Sequence, residues 1–197
     1  MVPRTTHRIT RGYTLLEILV VVVVLGIAGA LVIPSMGQTG VLRVQASVRM
    51  IVADMTFAQA DAVAYQDRRA IVFVPADLVP APTGGMRPRE GTNTYGVYDV
   101  SGPTLSANDL LFDASRGTGR METNLNEARY GGAFVRSAVF DGDTTLIFDE
   151  MGGPVQDLTG GAPSSGGRVR VEGSGSVFEI RVEAYTGRVT VEQISSP

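Results

Sequence analysis

The chain has 197 residues, 44% of them hydrophobic, and a net charge of −3, which suits one domain with a real core plus an N-terminal extension and excludes an acidic disordered tail. It has no cysteine and a single histidine, His7, so disulfides, thiolate nucleophiles and cysteine metal sites are excluded. All 17 basic residues are arginine, set against 20 acids, a balance that argues against broad adhesion to nucleic acid.

The first twelve residues carry Arg4, Arg8 and Arg11 and no acid. From Ile18 to Ile33 every residue is apolar or glycine. A secretory signal peptide cut near Ala28, Gly29 and Ala30 fits poorly. Thr14 and Glu17 interrupt the approach to the apolar run, and a helical pattern continues beyond it. Residues 13–33 predict a helix of about 30 Å, one hydrocarbon thickness. The valine run is a weak helix former in water, but lipid leaves the backbone no alternative to its own hydrogen bonds. Glu17 lies about 6 Å along that helix. A charge at the centre of a bilayer costs about 2.5–3.5 kcal/mol, and less near an end.

The stretch RGYTLLEILVVVVVLGI, followed by Pro34, resembles the class III leader of type IV pilins and type II secretion pseudopilins. In that family a membrane prepilin peptidase cuts after a glycine, the new N-terminal residue is N-methylated, and a glutamate follows four positions on. The resemblance implies cleavage between Gly12 and Tyr13, methylation of Tyr13, and Glu17 as the family glutamate. It also implies a proline, Pro34, that bends or loosens the stem. Tyrosine replaces the usual phenylalanine at the new start, and Leu16 stands where isoleucine is common. On that resemblance, the amine created on Tyr13 of one subunit is expected to meet Glu17 of a staggered neighbour. Where water is absent that pair is strong, and an unpaired Glu17 is penalised, so the residue sets register.

Beyond Pro34, Val44, Val48, Ile51, Met55, Ala58, Ala62 and Tyr65 recur at three- and four-residue spacing. They predict an amphipathic helix packed on a sheet of its own domain, with Arg49, Asp54, Asp61 and Asp67 mostly outside the stripe. The helical part is expected to reach Arg69. From Ala70 the pattern changes to strands: AIVFVP, TYGVYDV, LLFDASRGTG, then FVRSAVF and TTLIFDE as a pair across Asp141, Gly142 and Asp143. RVRVEG and SVFEIRVEAYTGRVTVEQI add three more, the last two a hairpin across Thr186 and Gly187. VPAPTGGMRPREGTN and DLTGGAPSSGG are expected to be loops. Six to eight antiparallel strands with a helix on one face make an α+β fold. The segment from Thr186 to Val191, TGRVTV, resembles the final strand of the minor pseudopilin H and FimT-like group.

No catalytic set emerges: there is no Walker loop, HExxH or nucleophile elbow, and Ser164 and Ser165 lie in a glycine-rich loop without a base. Asp141, Asp143, Asp149 and Glu150 offer oxygen ligands for calcium, but at a spacing that matches no loop motif, and read as solvated turn acids. Some FimT-like minor pilins bind DNA through C-terminal arginines. By that resemblance Arg168, Arg170, Arg181 and Arg188 are candidates, the first two alternating along one strand. Glu172, Glu179, Glu183 and Glu192 share those hairpins, and loss of the leader leaves 14 basic against 20 acidic side chains. Duplex binding by phosphate neutralisation is disfavoured on that balance.

The sequence therefore predicts a leader (1–12), a transmembrane helix (13–33), a helical stem (34–69) and a β head (70–197). It predicts no enzyme, metal or cofactor. The resemblance implies the prepilin peptidase and methyltransferase, other major and minor pilin-like subunits and an inner-membrane assembly platform as partners. It implies a single-pass inner-membrane protein with its head outside, at or near the tip of a type II secretion pseudopilus. The alternatives are a DNA-binding or a structural minor pilin of a type IV pilus.

Overall fold

A computed structural model describes residues 13–32, 38–80, 86–89, 91–114 and 119–195. The chain divides into two compact units, residues 1–39 and 40–197. The first contains helix α1 (Leu15–Val32). Almost all of α2 (Gln38–Tyr65) belongs to the second. There follow β1 (Arg69–Val74), β2 (Leu78–Pro80), β3 (Met86–Pro88), β4 (Thr94–Asp99), β5 (Glu122–Asn124) and β6 (Phe134–Phe140), then β7 (Thr145–Phe148), β8 (Pro154–Val155), β9 (Gly167–Gly173), β10 (Ser176–Val182) and β11 (Val189–Ser195). The fold is α+β, but the head is built on two main sheets and not one. A five-stranded sheet runs β5-β4-β1-β7-β8, a four-stranded sheet runs β11-β10-β9-β6, and β2 pairs with β3 alone. The strands beyond the six to eight expected are short ones, such as β2, β3, β5 and β8, whose period-2 signal is too brief to read.

α2 forms because its apolar residues repeat at helical spacing and a core awaits them. Val44, Val48, Ile51, Met55, Ala58 and Ala62 are all buried. They share one cluster with Ile71, Phe73, Val97, Leu146 and Phe148 of the five-stranded sheet and Val135, Phe140, Val169, Val171, Phe178 and Ile180 of the four-stranded sheet. Each large side chain buried there stabilises by roughly 1.5–3 kcal/mol. Two expectations about the stripe fail. Asp54, placed outside it, is buried, because the Tyr95 hydroxyl donates to its Oδ2 at 2.7 Å. Tyr65, placed inside it, is 71% exposed.

The helix ends at Tyr65, short of Arg69. Gln66 adopts the left-handed conformation at φ 54°, and the Asp67 N–H reaches back to the Ala62 carbonyl at 3.1 Å. That is a Schellman ending on glutamine where glycine is usual, so composition did not reveal it. The Gln66 side chain adds a bond to the Val63 carbonyl at 3.1 Å.

FVRSAVF and TTLIFDE do not pair as a hairpin. The turn forms, since Phe140 and Asp143 exchange backbone hydrogen bonds of 2.8 and 2.9 Å, with Asp141 and Gly142 at positive φ. Beyond it the strands separate: β6 pairs with β9 in one sheet and β7 with β1 in the other. A tight turn dictates a reversal but not the partners that follow. Most of the β2–β3 pair, which begins at Leu78, falls in the expected loop at 79–93. The expected loop at 157–167 is tied down by Arg68, whose Nη1 donates to the carbonyls of Leu158 and Gly160 at 2.9 and 2.8 Å.

One fully buried side chain staples the head. Asn93 Nδ2 donates to Asn126 Oδ1 at 2.8 Å and to the Ala133 carbonyl at 3.2 Å, and its Oδ1 accepts from the Val135 N–H at 2.9 Å. Its backbone sits at φ 63°, a region asparagine tolerates. Replacing Asn93 by alanine strands the Val135 donor in the core and should lower unfolding free energy by about 2 kcal/mol. Urea unfolding of the full chain in detergent measures it, and an unchanged midpoint would refute the staple.

Candidate functional site

α1 begins where Thr14 caps it. The Thr14 hydroxyl accepts from the Glu17 N–H at 3.2 Å. Thr14 is thus the N-cap and Glu17 the third helical residue, where a carboxylate is favoured by the helix dipole. The cap runs through the backbone of residue 17. Among the described residues no hydrogen bond or ion pair engages the Glu17 carboxylate, and the residue is exposed. The capping role of Thr14 was missed in reading the sequence, although T-x-x-E ahead of an apolar run is its signature.

Every described large side chain of α1 is exposed, from Leu15 at 84% through Val22 at 61% to Ile27 at 60%. A helix apolar on all faces is stable only when surrounded, by other helices or by lipid. Among the described residues no helix is long and apolar enough to cross a membrane. α1 as described has 18 residues and rises about 27 Å, just under a hydrocarbon core of about 30 Å. Gly12, the expected cleavage position, and Pro34, the expected bend, lie outside the described residues. Tyr13, the expected methylation position, is described and exposed.

In the head, Arg168 and Arg170 lie on the open face of the four-stranded sheet, with Val169 and Val171 turned into the core. Arg168 stands opposite Arg181 across the β9–β10 register, and Arg170 opposite Glu179. Glu179, almost fully buried, bridges the group: Arg170 Nε donates to it at 3.0 Å and Arg181 Nη2 at 2.8 Å. The Arg181 hydrogen bond, opposed by burial and reinforced by Arg170, holds the Glu179 carboxyl below the usual range. Arg188 lies apart in the β10–β11 turn and pairs with Glu183 at 2.6 Å. Of the four arginines, three share a face and two of those are committed to a carboxylate. Only Arg168 forms no ion pair among the described residues.

Residues 7–33 match the family model described as the prokaryotic N-terminal methylation motif. The motif indicates a type IV pilin-like subunit. It implies processing by a prepilin peptidase and assembly with other pilin subunits. The match ends at Ile33 and includes none of the head. No curated protein and no solved structure matches the chain significantly.

The four acids considered for calcium do not converge. Asp141 accepts from the hydroxyls of Ser164 and Ser165 and from the Ser165 N–H. Burial raises its carboxyl, and those bonds outweigh that and lower it. The two serines therefore do have a carboxylate partner, which sequence spacing concealed. Asp143 caps Thr144, Asp149 caps Met151 and Gly153, and Glu150 pairs with Arg68. Among the described residues no group of three or more acidic or histidine side chains is placed to hold a metal ion.

The TGR turn owes its shape to α2. Gln59 Nε2 donates to the carbonyls of Gly152 at 2.7 Å and Thr186 at 2.9 Å, joining one sheet's turn to the other's. Gly187, at φ 66°, leaves room for Gln59 and the Phe148 ring, which a Cβ would overlap. Nothing in the sequence pointed to Gln59.

Proposed function

We propose that this chain is the precursor of a minor subunit of a type II secretion pseudopilus. Prepilin peptidase cuts between Gly12 and Tyr13, Tyr13 is methylated, and the segment 13–33 anchors the subunit in the inner membrane with its head outside. The subunit then enters the filament at or near its tip, where the helix exchanges lipid for neighbouring helices. The observations that carry this reading are the methylation motif over residues 7–33 and the exposure of every described large apolar side chain of α1. The TGRVTV ending, by its resemblance to the H-type and FimT-like group, supports a minor subunit and not the major one.

Gly12 gives the direct test. Replacing it by a bulky residue such as valine should leave full-length precursor in the membrane, whereas the unaltered chain should show an N-terminus at Tyr13 with a methyl group. Mass spectrometry of the purified protein reads both, and the same mature end in the variant would overturn the reading. Deleting the chain should block protein export. Loss of pilus assembly or of DNA uptake, with export intact, would favour the type IV pilus alternatives. The ion pairs of Arg170, Arg181 and Arg188 count against DNA as the partner, because phosphate would have to displace carboxylates already in place.

A further inference from the structure

We propose that the outer face of the five-stranded sheet is a docking groove for an extended segment of a partner protein that carries an arginine or lysine flanked by aliphatic residues. The proposal does not rest on the filament reading. β1, β4 and β7 are apolar on both faces. Ile71, Phe73 and Leu146 serve the main core, while Ala70, Ile147 and Val155 form a second small cluster on the other side. The loops after β4 and β8 fold across that second face without closing over it, and a cavity of about 720 Å³ is left between them.

Val72 and Ile147 form its floor, Leu105 and Leu158 its walls, and Asp143 and Asp157 its rim. Among the described residues no basic side chain lines it. Among the described residues neither carboxylate forms an ion pair. Asp143 Oδ1 accepts from Thr144, and Asp157 Oδ1 accepts from Thr159 and Gly160, which leaves Oδ2 of each for a ligand. An apolar floor beneath two carboxylates matches one kind of side chain, with an aliphatic stem and a cationic end. The wall is also preformed. Arg68 donates to the Leu158 and Gly160 carbonyls, and Gln156 donates to the far limb of the loop, its N–H to the Ala162 carbonyl and its Nε2 to the Pro163 carbonyl. A wall built in advance lowers the ordering cost of binding.

Fluorescence anisotropy of the full chain in detergent micelles tests this with capped, labelled peptides of one length whose centres read Leu-Arg-Leu, Leu-Gln-Leu or Leu-Glu-Leu. The arginine peptide should saturate and bind about tenfold or more tighter than the glutamate peptide. The double substitution Asp143→Asn and Asp157→Asn keeps both Oδ1 acceptors. It should erase the preference for arginine over glutamine while leaving the melting temperature unchanged. Val72→Arg, which places a guanidinium in the groove, should block binding independently. Failure of the arginine peptide to saturate would overturn the proposal. So would equal binding by the amide double variant, which would mark attraction to an acidic protein at large.

Discussion

Replacing Arg69 with methionine should lower the unfolding free energy of the head by about 3 kcal/mol. Arg69 is buried where α2 ends, and its guanidinium holds three carboxylates: Asp61 at 2.5 Å, Asp99 at 2.7 Å and Asp67 at 3.5 Å. It also lies 5.8 Å from the Tyr65 ring centroid. Burial pulls its pKa down, but the Asp61 hydrogen bond and the three negative charges more than offset that. Methionine keeps the aliphatic stem and removes the charge, so Asp61, whose side chain is only 13% exposed, is left beside two like charges. Breaking a buried pair from one side costs about 3–5 kcal/mol. The lower end applies because the side chains of Asp99 and Asp67 are 40% and 52% exposed and water can take them over. Denaturant unfolding in detergent, followed by near-ultraviolet dichroism of the tyrosines, measures the loss. A change under about 1 kcal/mol, the range of exposed pairs, would show that Arg69 is ordinary surface charge.

Replacing Glu17 with valine should leave processing intact and reduce incorporation into filaments at least tenfold. The Thr14 cap survives this change because it uses the residue 17 amide and not the carboxylate. The helix loses only the dipole contribution of an acid in its first turn, about 0.3–1 kcal/mol. On the proposed filament reading, that is small beside the cost of leaving a neighbour's new amine without its partner in a dry helical core. Glu17→Gln separates charge from hydrogen bonding, since glutamine at this position supports the same capping pattern. Shearing and quantifying filaments by immunoblot gives the readout. Normal incorporation of the glutamine variant would remove the register role from the charge, whatever valine does.

The α2 stripe was legible from Val44 to Ala62 because burial and helical period coincide there, and a period of three and four survives without knowledge of the partner surface. Asp54 was not legible, because its place in the core depends on a hydroxyl 41 residues away, on Tyr95. The arginine alternation in GRVRV was legible, since side chains on a strand alternate by geometry. That Glu179 would neutralise two of the arginines on that face was not, because it required the β9–β10 register. The Asp141 partnership with Ser164 and Ser165 stayed hidden for the same reason: 23 and 24 residues separate them.

By itself, the sequence determined what is local. A basic stretch, a glycine, an acid and a run of apolar residues are contiguous, and the methylation motif over residues 7–33 is complete in them without reference to the head. Tertiary structure alone decided how the strands were divided. The turn at Asp141 and Gly142 reverses the chain whatever follows, but β6 found β9 and β7 found β1 because the apolar inner faces of two sheets had to close over one face of α2. Strand pairing is a choice among distant partners, made by which arrangement buries the most apolar surface, and no window of sequence contains that comparison.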